Sequence, residues 1–155
     1  MKQSAGILAY RLVGGLEIFL VHPGGPFFRN KDLGAWSIPK GEFEDGEQPL
    51  ETAKREFYEE TGHEPQGTFF ELQPVKLKSG KVVFAWAVEQ QIDERALVSN
   101  TFLLEWPPRS GKRVAFPEVD KAAWFSLTEA RTKINPAQAD FLDQLASRLQ
   151  DRNNS

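Results

Sequence analysis

The sequence predicts a mixed α+β fold on three observations. Two apolar runs of strand length meet at Gly14-Gly15. Leu50, Ala53 and Phe57 recur at helical spacing after Pro49. A second helical repeat, Ala139, Leu142, Leu145, Ala146 and Leu149, closes the chain. With 155 residues, 40% apolar and 26% charged, the chain has the size and balance of one globular domain. We assign residues 1–150 to that domain and read 151–155 as a frayed polar tail. The absence of cysteine excludes disulfides, thiolate metal sites and a cysteine nucleophile, and points to the reducing cytoplasm. No apolar run reaches the ~20 residues of a membrane helix. A net charge of −3 predicts no general attraction to membrane or DNA.

Ser4–Val13 and Leu16–Val21 read as a β-hairpin. His22 to Gly34 is a long irregular segment with Pro23, Gly24, Gly25 and Pro26, then Phe27, Phe28, Arg29 and Lys31. Loops of this length are commonly functional. His22, at a strand end, reads as a surface or structural residue. Trp36–Pro39 is a short strand. A helix is expected from about Pro49, suited to a first turn, to Thr61, with Gly62 ending it. Gly67–Lys78 and Lys81–Gln91 form a second hairpin about Ser79-Gly80, Asn100–Trp106 a further strand stopped by Pro107-Pro108, and Ala122–Phe125 a last short strand. Ser126 and Glu129 make a capping box that opens a short helix, and Asn135 caps the terminal one with Pro136 at its first position.

The charge is unevenly spread. Between Gly41 and Glu60 stand eight carboxylates and two cations, a net of −6, while the remaining residues sum to +3. On the expected helix Glu56, Glu59 and Glu60 fall at i, i+3 and i+4, which stacks three carboxylates on one face. Unpaired they repel. Oxygen-only clusters suit hard divalent ions, and Mg2+ in particular is commonly shared between a few carboxylates and the phosphates of a substrate. The reaction class that follows is metal-assisted hydrolysis of a phosphoanhydride.

Gly41, five residues, Glu47, seven residues, Arg55-Glu56-Phe57, Tyr58, Glu59-Glu60, Thr61 and Gly62 together resemble the Nudix box. His63 departs from the pattern, standing where the family has a bulky apolar residue. Ser4–Ile7 with Tyr10-Arg11, and Trp36-Ser37-Ile38-Pro39-Lys40-Gly41, resemble the family's first strand and the entry to its box. Glu118, six residues before Trp124, resembles its late-loop glutamate. The resemblance spans residue 4 to about 149 and is nearest in appearance to the diadenosine polyphosphate hydrolase branch.

The resemblance implies the Nudix α/β/α sandwich, with a mixed β-sheet between helices. It implies metal ligation by Glu56, Glu59, Glu60, Glu118 and the Gly41 carbonyl, with Mg2+ as the ion and Mn2+ as a substitute. Catalysis would involve Glu59, Arg55 and Glu118, the general base being either Glu59 or Glu118. Glu47 and Gly62 would be structural, with Arg55 pairing Glu59 and bridging to Glu47. Lys40 would hold a phosphate, and Trp36 and Phe28, with Phe27, would stack a base. Arg109, Lys112 and Arg113 would contact distal phosphates. The implied activity is a pyrophosphohydrolase acting on a nucleoside di- or polyphosphate derivative, diadenosine tetraphosphate-like or a nucleoside triphosphate. The alternatives are an RNA 5′-pyrophosphohydrolase and a non-catalytic nucleotide-sensing Nudix module.

Overall fold

The first strand, β1 (Gln3–Leu12), organises the molecule because it takes part in three ladders at once. Along Gln3–Tyr10 it runs parallel to β6 (Val82–Glu89). On its other side it pairs antiparallel with β2 (Leu16–Pro23) only at Tyr10–Leu12, through the Gly14-Gly15 hairpin. Further back, Gln3–Gly6 pair with β3 (Lys40–Phe43). β1 and β2 therefore diverge like the arms of a fork, and the chain at Ser37–Gly41 enters the gap. The bonds that hold it there are Ile7 N–H to Pro39 O at 3.2 Å and a reciprocal Val21–Ser37 pair at 2.9 and 3.0 Å. The computed structural model describes residues 2–153.

The main sheet is completed by β4 (Phe70–Glu71) and β5 (Val75–Lys76) on β6, and by β9 (Val119–Ser126) on β2. A separate two-stranded ribbon pairs β7 (Thr101–Glu105) with β8 (Arg113–Pro117). Strand alternation sorts the core into two halves. Ala5, Ile7, Ala9, Phe19 and Val21 pack against Ala53 and Phe57 of α1 (Pro49–Thr61). Leu8, Tyr10, Ile18 and Leu20 pack on the opposite face against Ala130 of α2 (Leu127–Lys133) and Phe141, Leu142 and Leu145 of α3 (Ala139–Asn153). The result is an α/β/α sandwich around a mixed sheet, the expected fold.

Several boundaries differ from the sequence reading. Trp36–Pro39 makes isolated bridges to Val21 and Ile134, and the strand begins at Lys40. The run 67–78 is broken into β4 and β5 around Pro74, which has no N–H to give a ladder. β8 was not anticipated. β9 starts at Val119, and α3 continues through Asp151 to Asn153, where a frayed tail was expected. Residues 154–155 of that tail lie outside the described residues. Among the described residues no helix is long and apolar enough to cross a membrane.

Candidate metal and phosphate site

The site is built where β3 begins, at Lys40 and Gly41, against the second half of α1. Pro49 opens α1, Ala53 and Phe57 are buried without exposure against β1, and Gly62 closes it at φ 79° with its N–H on Tyr58 O at 2.7 Å. That rotation turns Glu56 and Glu60 toward β3. Gly41 is where the two elements touch. A Cβ built there would overlap the Glu56 carboxyl carbon and both its oxygens, so only glycine lets the carboxylate lie on the β3 backbone.

Glu118 reaches the same place by a relay of backbone hydrogen bonds. Asn100 N–H donates to Glu59 O at 2.8 Å, using one of the carbonyls left open at the end of α1. Glu118 N–H donates to Asn100 O at 2.8 Å, and Gly24 N–H donates to Glu118 O at 2.9 Å. The late loop is thereby laid across the helix end. Carboxylate oxygens of Glu56, Glu60 and Glu118 then fall within 4.8 Å of one another.

The electrostatics are those of crowded acids. Burial, then Glu56 and Glu118, push the Glu60 carboxyl up to about 9, against the opposing Lys40 ammonium and backbone N–H. Burial and the Glu59 charge raise Glu56 and Glu118 in the same sense, Arg55 partly opposing at Glu56. Lys40 is lowered, chiefly by burial and then by Lys81, while the surrounding glutamates resist. All donors are oxygens, close together and mutually repelling, which fits a hard divalent cation.

Glu59 is not one of the three converging acids. Arg55 holds it at 3.8 Å and also approaches Glu56 at 3.6 Å and Glu47 at 3.7 Å. Arg55 thus makes the expected links to Glu59 and Glu47, and one to Glu56 besides. Glu47 also accepts from Glu44 N–H at 2.9 Å. Lys40, Glu60, Glu118, Ser37, Ile38 and Val119 line a cavity of about 160 Å3.

The aromatic expectations divide. Phe28 is partly exposed, and Phe27, 61% exposed, packs edge-on against Trp106 at 5.6 Å beside the ribbon. Trp36 does not belong with them. It is 5% exposed, lies edge-on to His22 and Phe125, and donates Nε1–H to Asp32 at 2.8 Å. Its ring is used by the core, which corrects the stacking role expected for it. Arg109, Lys112 and Arg113 are exposed around the ribbon tip. The sequence reading took His22 as a surface or structural residue and did not foresee that, fully buried, it pairs with the partly exposed Asp120, 98 residues away. A lone histidine followed by a glycine-proline loop was that pairing's only trace.

A NUDIX domain model matches residues 2–145. The chain belongs to the Nudix family. Glu56 and Glu60 of the converging cluster stand on its helix, consistent with a Nudix box. A search of curated proteins found no match. Among solved structures, a Caenorhabditis elegans Ap4A hydrolase binary complex is similar at 21% identity, TM-score 0.66, over 97% of this chain and 99% of that one. The NUDIX domain of Shewanella oneidensis NrtR, complexed with ADP ribose, is similar at 16% identity, TM-score 0.66, over 95% and 87%. A MutT from work on Aliivibrio salmonicida and Vibrio cholerae is similar at 15% identity, TM-score 0.57, over 94% and 96%. Identities this low show the shared fold.

Proposed function

We propose that this Nudix protein is a Mg2+-dependent pyrophosphohydrolase, with Mn2+ as a substitute, that cleaves a phosphoanhydride in a nucleoside polyphosphate derivative. The convergence of Glu56, Glu60 and Glu118 within 4.8 Å beside Lys40 carries this reading. Those three carboxylates, with the Gly41 carbonyl that the family resemblance adds, would hold the cation. Bound there, the cation supplies charge neutralisation at phosphate oxygens and a water acidic enough to attack near neutral pH.

The remaining work falls to side chains. Glu59 lies near enough for its charge to raise Glu56 and Glu118, yet it stands outside the converging set. It is the general base that takes the proton of the attacking water at its carboxylate as the bridging P–O bond breaks and the leaving phosphate departs. Arg55 orients that base, and Glu47 orients Arg55. The Lys40 ammonium holds a phosphate oxygen as a point charge. A cavity of about 160 Å3 has room for a phosphate and a few waters, since each water takes about 30 Å3. A nucleoside would then extend beyond it, and the exposed rings of Phe27 and Phe28 are the surfaces on which it would stack.

A diadenosine tetraphosphate-like compound or a nucleoside triphosphate is the favoured substrate, and the location is cytoplasmic. The exposed cations Arg109, Lys112 and Arg113 support a second reading, in which the substrate carries further phosphates, as an RNA 5′ end does. A steep loss of binding with salt separates RNA from a small nucleotide. The deciding experiment is a panel of nucleoside triphosphates, dinucleoside polyphosphates, nucleotide sugars and capped RNA with Mg2+ in oxygen-18 water. The products name the substrate, and the labelled phosphate names the phosphorus attacked. Tight nucleotide binding without any product would favour a sensing module instead.

A further inference from the structure

The pairing of β2 with β9 slips by one residue at its end. His22 faces Lys121, but the next residue, Pro23, faces Val119, leaving Asp120 as an extra residue on β9. Such a bulge re-aims the side chains beyond it. Trp124 and Ala122 point to the α1 face, and strict alternation would send Asp120 after them. Val119 takes that place and joins the core beneath α1. Glu118 follows directly, with its carboxylate on the acids of α1.

The bulged residue is gripped. His22 has no exposed surface, and its Nδ1 meets Asp120 Oδ1 at 2.8 Å. Its Nε2 donates to the Lys31 carbonyl at 2.6 Å, because a carbonyl only accepts. One buried ring therefore ties the bulge to the far end of the segment that carries Phe27 and Phe28. It also lies edge-on to Trp36 at 5.2 Å, so its own position is fixed by the core.

We infer that His22 is a positioning residue for the metal site. By holding Asp120 and Lys31 together, it sets the bulge that delivers Glu118 and pins the aromatic loop beside it. The inference rests on the reading of Glu118 as a metal ligand. Groups that hydrogen-bond a metal ligand commonly change metal affinity by tenfold or more; His22 acts one step further out, through the backbone of the bulge.

The test compares His22→Phe, Asp120→Ala and Asp120→Asn with the unaltered protein. Mn2+ alone is titrated by electron paramagnetic resonance, and amide hydrogen exchange is followed by mass spectrometry. Phenylalanine keeps the ring packing but loses both bonds. Asparagine can bond to the ring whichever atom holds the proton. His22→Phe and Asp120→Ala are expected to weaken Mn2+ binding about tenfold. They should also speed exchange in residues 24–33 about tenfold or more, with β1 and β6 unchanged, while Asp120→Asn stays near the unaltered protein. Should His22→Phe not fold, Asp120→Ala decides, since its side chain is one-third exposed and outside the core. Unchanged exchange, loosening spread through β1 and β6, or equal damage from Asp120→Asn overturns the inference. A parallel Glu118→Gln separates the two readings. If it leaves Mn2+ affinity untouched, the ligand role of Glu118 fails and loop exchange alone judges His22. If it weakens Mn2+ while Asp120→Ala does not, the His22 inference fails.

Discussion

The carboxylate of Glu56 fills the volume that a Cβ on Gly41 would need. A residue on β3 and a residue on α1, fifteen apart in the chain, thereby share one space, and any side chain at position 41 would push the carboxylate aside. Gly41→Ala is expected to weaken Mn2+ binding by about tenfold or more, because either the carboxylate or the β3 backbone must shift. Gly46 is the control. It has a positive φ and open space, so Gly46→Ala should lower stability by on the order of 1 kcal/mol and spare the metal. Mn2+ titration beside thermal melts reads both effects.

Glu59 and Glu60 are neighbours in sequence with different surroundings, and their glutamine variants should separate. Glu60→Gln is expected to weaken Mn2+ binding about tenfold or more. Glu59→Gln should leave binding within about threefold while turnover falls by roughly 10^2 to 10^4. Single-turnover rates and metal titration on folded variants check this. Full activity in Glu59→Gln would remove it as the base.

The proton on Glu60 gives a pH dependence with a definite sign. In the metal-free protein the folded carboxyl titrates at about 9, whereas the free side chain titrates at 4.5. Between those values the folded state binds more protons than the unfolded chain, so this group's contribution to stability declines as pH rises through the window. A divalent cation requires the ionised carboxylate. The rise in Tm caused by Mg2+ should therefore grow from about pH 5 to about pH 9, and Glu60→Gln should flatten it. Calorimetric melts with and without Mg2+ give both curves, and an increment independent of pH counts against Glu60 as a ligand.

Arg55 is half exposed, and its three carboxylate contacts lie at 3.6 to 3.8 Å. Exposed pairs at these distances contribute about 1 kcal/mol or less. Arg55→Lys is expected to change Tm little and to lower kcat by about tenfold or more, since one ammonium cannot orient Glu59 while also meeting Glu47 and Glu56. Melting and steady-state kinetics on one preparation test the split.

Trp36 and Phe27, both expected to stack a base, should separate, because one is buried and the other exposed. Truncating the buried Trp36 to alanine should cost about 3 to 5 kcal/mol of stability. Phe27→Ala, at an exposed position, should leave the melt near its starting value and raise KM through about 1 to 3 kcal/mol of lost stacking. Urea unfolding and KM measured across the nucleotide panel distinguish the two.

How far the sequence reveals the molecule depends on whether the signal is local. α1 was legible because Pro49, the spacing of Leu50, Ala53 and Phe57, and Gly62 each act within a turn or two, and the helix runs from Pro49 to Thr61 as they indicate. The resemblance named Gly41 and Glu56 as ligands, but the close packing of the Glu56 carboxylate on Gly41 shows only in the structure. β3 was misplaced because Lys-Gly-Glu-Phe has little strand character of its own and is extended by pairing with Ser4–Gly6. β8 was hidden because Arg113, Val114 and Ala115 are all exposed, leaving no apolar alternation to read. Trp36 looked available for a ligand because composition does not show that Phe125 and His22 enclose it. The relay from Glu59 through Asn100 to Glu118 is made of main-chain bonds and leaves no mark on side-chain identity.

The fork between β1 and β2 limits how this catalytic unit could be moved elsewhere. The floor beneath the acids comes from Ser4–Gly6, near the start of the chain and some fifty residues before the helix that bears the glutamates. An engineer grafting residues 40–62 into a foreign scaffold would transplant Gly41, Glu56 and Glu60 without Glu118 and without the fork that sets their height. The smallest portable piece must include the split pair of strands, and a recipient sheet with evenly spaced neighbours offers no slot to receive it.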